Sequence, residues 1–377
     1  MSIANFREVI NRLVGQEQFR TIVNNPRLQL GTPGRNFVFS RYLPERLQRD
    51  LAFRDTPIQM RTVGAVDNER YGAIGMRGSL RVSSQVFELG NSDVGQMLSA
   101  KVYDDMLEVF RDLPLNQAMV QVAQQLLGFQ DVLIGRGLAV KREYQRAQVI
   151  EKGRLEIVGE NNFRYDVTYK DPPGARETLG ATEPGSPYNN AVDPMEFILD
   201  KIQERSNDNG LAPIAIITTR KVMNAFRKNA IVKQYGTSII ADSTGSVTTG
   251  PIASMQSVMN AFSANNLPMP IEYDLRFPTM TGSRRMISED VLIILYETGL
   301  EQETTLDLDP VVDPTFGYNT LGFYAIGRTA GNLLPGISTS VKMIDHDKPS
   351  IEFKGWQTTL PIIQIPEAIN VFTYLSI

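Results

Sequence analysis

Cysteine is absent from the 377 residues, and histidine occurs once, at His346. That excludes disulfides, thiol nucleophiles, zinc–cysteine sites and multi-histidine metal sites together. A serine–histidine–aspartate arrangement would have to use His346. This residue lies in the charged run Asp345-His346-Asp347-Lys348, which reads as a solvated turn. No apolar run reaches the roughly 18 residues that a membrane span requires, so no membrane partner is expected. The N-terminus lacks the basic-then-apolar order of a secretory signal, and the expected place of synthesis and use is inside a cell. Phosphate-binding loops are missing as well. Gly72, Gly75 and Gly78 have a suggestive spacing but precede no helical pattern. Asp307, Asp309 and Asp313 are spaced carboxylates without the glycine and the closing glutamate of a calcium loop. No cofactor, metal site or catalytic constellation is expected, and the chain does not read as an enzyme.

Lysine is also missing before Lys101. The thirteen basic residues of that segment are all arginine and face nine carboxylates, so it carries +4 and the remainder −8. Arginine presents a planar fork suited to pairing with carboxylates across interfaces, and it also contacts phosphate. Ordinary surface charge is one reading of this bias. The other is a segment that reaches onto acidic surfaces of neighbouring copies, with Arg54, Arg61, Arg70, Arg77 and Arg81 as the contact candidates.

What is present is a folded-protein composition, 42% hydrophobic and 21% charged, in a chain long enough for two or three compact units. The clearest unit runs from Asp193 to Gln234. Asp193-Pro194-Met195-Glu196 is a helix start, with Met195, Ile198, Leu199 and Ile202 at helical spacing and Asn209-Gly210 as the stop. Pro213 to Ile217 is a short apolar run, predicted to be a strand covered on both faces. Thr218 or Thr219 caps a second helix with Val222, Met223 and Phe226 inward and Arg220, Lys221, Arg227 and Lys228 outward. Helix, strand and helix in succession form a layered unit.

The remaining segments are organised around it. Phe6 to Val23 fits a short amphipathic helix, and Arg27 to Thr56 an extended arm. Pro57 to Leu89 alternates around glycines as a long β-hairpin. Helical spacing is expected from Val94 to Lys152, with breaks at Gly128, Gly135 and Gly137 and a charged final part. Leu155 to Tyr169 reads as a hairpin and Asp171 to Asn190 as a loop. Ile252 to Phe262 is a further helical stripe. Pro270 to Phe277 and Val291 to Leu295 are expected to be hairpin partners or sheet neighbours. Four short strands close the chain: Ile337 to Met343, Ile351 to Thr359, Leu360 to Ile365 and Val371 to Leu375.

Three stretches carry a resemblance: Asp193 to Lys233 with T-T-R-K-V-M-N-A-F-R-K-N; Leu267 to Glu297 with L-P-M-P-I-E-Y-D-L-R-F and V-L-I-I-L-Y-E-T-G; and Leu360 to Val371 with its proline–acidic turn. In this order they resemble the tailed-bacteriophage major capsid proteins of the Hong Kong 97-type fold, nearest the lambda-like major capsid protein E family. The resemblance implies an α+β fold with an N-terminal arm (1–57) and an extended E-loop (58–94). It further implies a peripheral domain (95–191) with a spine helix near 115–152, an axial domain (192–345), and strands returning to the peripheral domain (346–377). It implies self-association as hexamers and pentamers into an icosahedral shell around double-stranded DNA. Implied partners are a separate scaffolding protein, a portal, a decoration protein and non-specifically packaged DNA, with assembly in the host cytoplasm and residence in the virion. Encapsulin nanocompartments share the fold and are the alternative reading. Arm and hairpin hold too few large apolar residues for a core of their own and are expected to lie across neighbours.

Some relatives join an E-loop lysine to a neighbour's asparagine, but Ile58 to Val94 contains no lysine. Only about twenty-five residues precede the arm, little room for an internal scaffold. With neither thiols nor a loop lysine, particles boiled in detergent should run as one band near 42.1 kDa. A ladder of surviving multimers would reveal a covalent link.

Overall fold

The computed structural model describes residues 8, 37–48, 52–55, 58–61, 79–82, 85–98, 100–112, 114–158, 164–241, 247–251, 255–279, 282–298, 320–329, 335–344 and 350–375. The Phe6 to Val23 helix, the 27–36 part of the arm, His346 and the Asp307, Asp309 and Asp313 carboxylates lie outside them.

Two five-stranded sheets divide the core. In the first, the fourteen-residue strand Ser350–Ile363 is the hub. Gly90–Leu98 runs antiparallel along one edge of it, from Thr359↔Gly90 to Ile351↔Leu98. Ile337–Ile344 and Gly322–Gly327 follow each other along the opposite edge. Glu45–Leu47 adds in parallel beyond Gly322–Gly327. The expected pair of short strands around Thr359-Leu360 is therefore one strand, in spite of Pro361. The Tyr324 N–H, opposite Pro361, is turned the other way and donates to Pro44 O at 2.7 Å. The partner on the far edge ends at Thr359, so no donor is needed from position 361.

The second sheet has the order Pro270–Glu272, Pro213–Thr218, Val291–Tyr296, Ile369–Tyr374, Arg176–Leu179. Val291–Tyr296 is buried at all six positions, as an all-apolar strand requires. Pro270–Glu272 and Val291–Tyr296 are not partners of each other; they flank Pro213–Thr218 on its two sides. Arg276–Thr279 instead pairs with Gly282–Arg285 as a separate hairpin. The stretch read as a loop, 171–190, contributes the strand Arg176–Leu179, parallel to Ile369–Tyr374. The last strand thus sits beside the helix–strand–helix unit, and residues 350–375 serve both sheets. In that unit Asp193 caps Pro194–Asn209 by accepting from Met195 N at 2.9 Å, and Gly210 ends it at φ 69°. Thr219 caps Arg220–Lys228.

The spine is the helix pair Leu115–Gln130 and Arg136–Lys152, joined without a break by a π turn at Asp131–Gly135. The glycines expected to interrupt it do not. The packing on either side outweighs their weak helix propensity. Ala118, Val122, Leu126, Ile134 and Leu138 enter a core formed with Ala100–Asp112 and the first sheet. Ala147, Val149 and Ile150 enter the larger core that includes the second sheet. Helix also begins later than the periodicity suggests. Val94, Met97 and Leu98 fit a helical stripe, but the ladder to Ser350–Ile363 holds Gly90–Leu98 as strand, and the helix starts at Ala100. Such a non-local partner overrides local spacing.

The hairpins are found, the first reaching further back than Pro57, into the segment expected to be extended arm. Ala52–Asp55 pairs with Gln85–Glu88 and Ile58–Arg61 with Ser79–Val82, and Arg154–Val158 pairs with Arg164–Thr168. The arm is different at its end. Phe39, Tyr42 and Leu43 are buried within this subunit, which overturns the expectation that the whole arm needs a neighbour to bury it.

Gly355 is where the hub strand meets the spine, and a Cβ there would collide with Ile134. Gly355→Ala should lower stability by about 1–3 kcal/mol through overpacking, read as a lower urea midpoint with an unchanged slope.

Candidate functional site

The run Lys141-Arg142-Glu143-Tyr144-Gln145-Arg146 looks like a solvated helix face, yet Arg142, Glu143 and Arg146 are only 2%, 0% and 1% exposed. Their partners lie about a hundred residues away, in the arm. Glu45 receives Arg142 Nη1 at 3.2 Å and Arg146 Nη2 at 3.1 Å. Arg146 Nε also donates to the Leu43 carbonyl at 2.9 Å. Phe39 N–H donates to Glu143 Oε1 at 2.8 Å, and the Tyr273 hydroxyl donates to the same oxygen at 3.1 Å. The Arg146 guanidinium lies 4.4 Å over the ring of Tyr324. The Tyr324 hydroxyl bonds Gln145 and reaches Thr359 Oγ1 at 3.0 Å. Phe39 and Tyr273 meet edge to face, 5.3 Å between centroids. One polar cluster thus ties the arm, the spine and the first sheet to Tyr273, beside the second sheet.

Burial and charge compete at its two carboxyls. At Glu45 burial pushes upward, but Arg142 and Arg146 together outweigh it and hold the carboxyl below the usual range. At Glu143 burial prevails over Arg146 and the two donors, and the carboxyl sits above the usual range. Their contributions to stability therefore have opposite signs. That of Glu45 is present above its unfolded pKa and is lost as pH falls through the depressed folded value. That of Glu143 is present at low pH and is lost as pH rises through the raised folded value. The cluster is buried and mostly paired within the chain, with Glu143 Oε2 and Gln145 Nε2 left without a hydrogen bond, and it suits holding chain segments together. No sequence motif announced it; the only signal was two arginines and a glutamate at i, i+1 and i+4 on one turn.

An open cleft of about 850 Å³ lies between the Arg220–Lys228 helix and the base of the Arg276–Arg285 hairpin. Its main cations are already paired: Arg220 with Glu272 at 2.6 Å, Lys221 with Asp290 at 2.7 Å, and Arg285 with Asp274 and Glu289 at 2.6 Å each. With these cations so occupied, the cleft is poorly suited to cradling a phosphate. Among the described residues no group of three or more acidic or histidine side chains could hold a metal ion, and no helix is long and apolar enough to cross a membrane.

Of the five candidate arginines, three fall on described backbone. Arg54, Arg61 and Arg81 are placed by backbone register opposite Val86, Ser79 and Gln59 on the two hairpin ladders. Arg70 and Arg77 lie outside the described residues.

No family model and no curated protein sequence matches this chain. Its architecture is matched among solved structures. A putative capsid protein of a prophage of E. coli CFT073 superposes with a TM-score of 0.52 at 10% identity, over 100% of this chain and 99% of that one. The chain has a Hong Kong 97-type capsid fold. Two further likenesses are a phage-related protein of Bordetella bronchiseptica RB50 and an encapsulin complex of Synechococcus elongatus PCC 7942. The first has a TM-score of 0.49 at 11% identity, over 93% of this chain and 97% of that one. The second has a TM-score of 0.40 at 11% identity, over 100% and 99%. Within this capsid fold the buried cluster joins the arm to the spine helix.

Replacing Arg146 by methionine leaves Glu143 and Glu45 short of their shared cation. It should cost about 3–5 kcal/mol in urea unfolding, the scale for breaking a buried pair. Glu45→Gln should flatten the loss of stability below the usual glutamate range, seen as a shallower acid limb of melting temperature against pH.

Proposed function

We propose that this chain is the major capsid protein of a tailed double-stranded DNA bacteriophage, self-assembling as hexamers and pentamers into an icosahedral head. The carrying observation is the likeness to a prophage capsid fold over 100% of this chain. The two-stranded ladders at 52–61 and 79–88 support it. Among the described residues neither ladder has a third strand, and an isolated two-stranded ribbon is marginal in water. Contact with a neighbouring copy supplies the missing surface. In this reading residues 1–57 form the arm, 58–94 the E-loop, 95–191 the peripheral domain and 192–345 the axial domain. The segment 346–377 then divides, its long strand serving the peripheral sheet and its last strand the axial one. A scaffolding protein, a portal, a decoration protein and non-specifically held DNA are its partners. Assembly takes place in the host cytoplasm, and the protein has no enzymatic role.

Negative-stain microscopy of the purified protein tests this reading. Icosahedral shells with nuclease-protected DNA in the phage context are expected. Shells filled with a cargo protein and no genome would make the chain an encapsulin, and a chain that never forms particles would overturn both. The arginines give a finer test. Lysine at Arg54, Arg61, Arg70, Arg77 or Arg81 keeps the charge and loses the fork, worth about 1–3 kcal/mol per buried contact. At least one such variant should fail to assemble while its circular dichroism stays native. Normal particles from all five would make the fork geometry irrelevant.

A further inference from the structure

Among the described residues Lys141 and Arg284 form a pair of cations without a counterion at ion-pair distance. Lys141, on the Arg136–Lys152 half of the spine, is half-buried. One turn further along, the exposed Arg284 holds its guanidinium 4.8 Å over the ring of Tyr144. Burial, and then the charge of Arg284, hold the Lys141 ammonium below the usual lysine range, and no carboxylate counteracts them. The nearby carboxylates are committed elsewhere: Asp274 and Glu289 to Arg285, Glu151 to Ser288. Among the described residues neither Lys141 nor Arg284 has a carboxylate at ion-pair distance. Partly buried charge is costly unless it is paired, so the missing anion is expected from outside the subunit.

The same chain carries a matching surface. On the Ala100–Asp112 helix, Asp104, Asp105, Glu108 and Asp112 are exposed and fall on one face at 3.6 residues per turn. None has an ion-pair partner among the described residues. Lys101 and Arg111 flank them, so four carboxylates against two cations leave two negative charges.

We propose that Lys141 and Arg284 receive carboxylates from a second copy of this chain, and that the donor is the acidic face of that copy's Ala100–Asp112 helix. A contact between two different patches is heterologous and repeats from copy to copy around a closed ring. Two cations beside Glu151 and Glu289 suit this occupant better than a nucleic-acid backbone. The helix face carries Lys101 and Arg111 as well and so meets Glu151 and Glu289 with less repulsion, whereas a phosphate backbone brings negative charge alone. The inference rests on the self-assembly reading above.

Charge exchange tests it, with wild-type particles as the control for assembly itself. Lys141→Glu with Arg284→Glu should lower particle yield about tenfold or more. Asp104→Lys, Asp105→Lys and Glu108→Lys together should do the same, and the two sets combined should restore yield to within about twofold of wild type. If the reversed subunits lose their circular dichroism signal, Lys141→Gln with Arg284→Gln replaces them. Those neutral variants should form fewer particles at low salt and lose the wild-type dependence on salt. Failure of the combined set to restore assembly, with every subunit folded, overturns the contact while leaving the shell. Unchanged particles with less nuclease-protected DNA would overturn it in favour of phosphate binding. A wild-type chain without particles overturns the shell reading and this contact with it.

Discussion

Two guanidinium groups and two carboxyls inside a protein persist only if each finds partners good enough to replace water. The cluster of Arg142, Arg146, Glu143 and Glu45 meets most of that condition, Glu143 Oε2 keeping only its ion pair with Arg146 at 3.8 Å, by drawing on four separate parts of the chain. The spine supplies three of the charges. The arm supplies Glu45, the Phe39 N–H and the Leu43 carbonyl. Tyr324 lends a ring from the first sheet, and Tyr273 a hydroxyl from the edge of the second. Removing any one segment would strand charge in the interior, so the cluster specifies where the arm leaves the body of the subunit. A purely apolar contact would tolerate slippage along the helix. Donors and acceptors at fixed atoms do not.

The backbone reinforces this joint. Leu321 N donates to Tyr42 O, Tyr324 N to Pro44 O, and Gln48 N to Ile326 O, so residues 42–48 are stitched to the first sheet while their neighbours reach the spine. The C-terminal segment makes the complementary weld. Ser350–Ile363 is the hub of the first sheet, and Ile369–Tyr374 completes the second only six residues later. Between them runs the spine, its first half in one apolar core and its second half in the other. Relative movement of the two halves of the subunit would have to strain the helix, the terminal segment and the polar cluster at once.

A subunit so tied leaves the ladders at 52–61 and 79–88 as two-stranded ribbons, without a third strand among the described residues. That division of labour suits a shell protein. In the proposed shell, internal pairing would settle the body and what remains unsatisfied would face outward, where a lattice would repeat each small contact many times. Under the proposed assembly the Lys141–Arg284 pair belongs to that outward-facing remainder.

The sequence by itself determined the elements whose causes are local. Asp193, Pro194 and Gly210 bound one helix, and Thr219 caps the next. The apolar run from Pro213 to Ile217 became a covered strand, and the alternating segments became hairpins. Each follows from caps, turns and periodicities acting within a few residues. The order of the motifs also carried the capsid resemblance. Only the tertiary structure decided which strands meet, that Gly90–Leu98 is strand and not helix, and that Ser350–Ile363 runs on through Pro361. It alone showed that the most highly charged stretch of the spine is interior. The physical reason is common to all of these. The partners lie tens to hundreds of residues away, and a charge or a glycine is judged by what surrounds it in space, which spacing along the chain does not report.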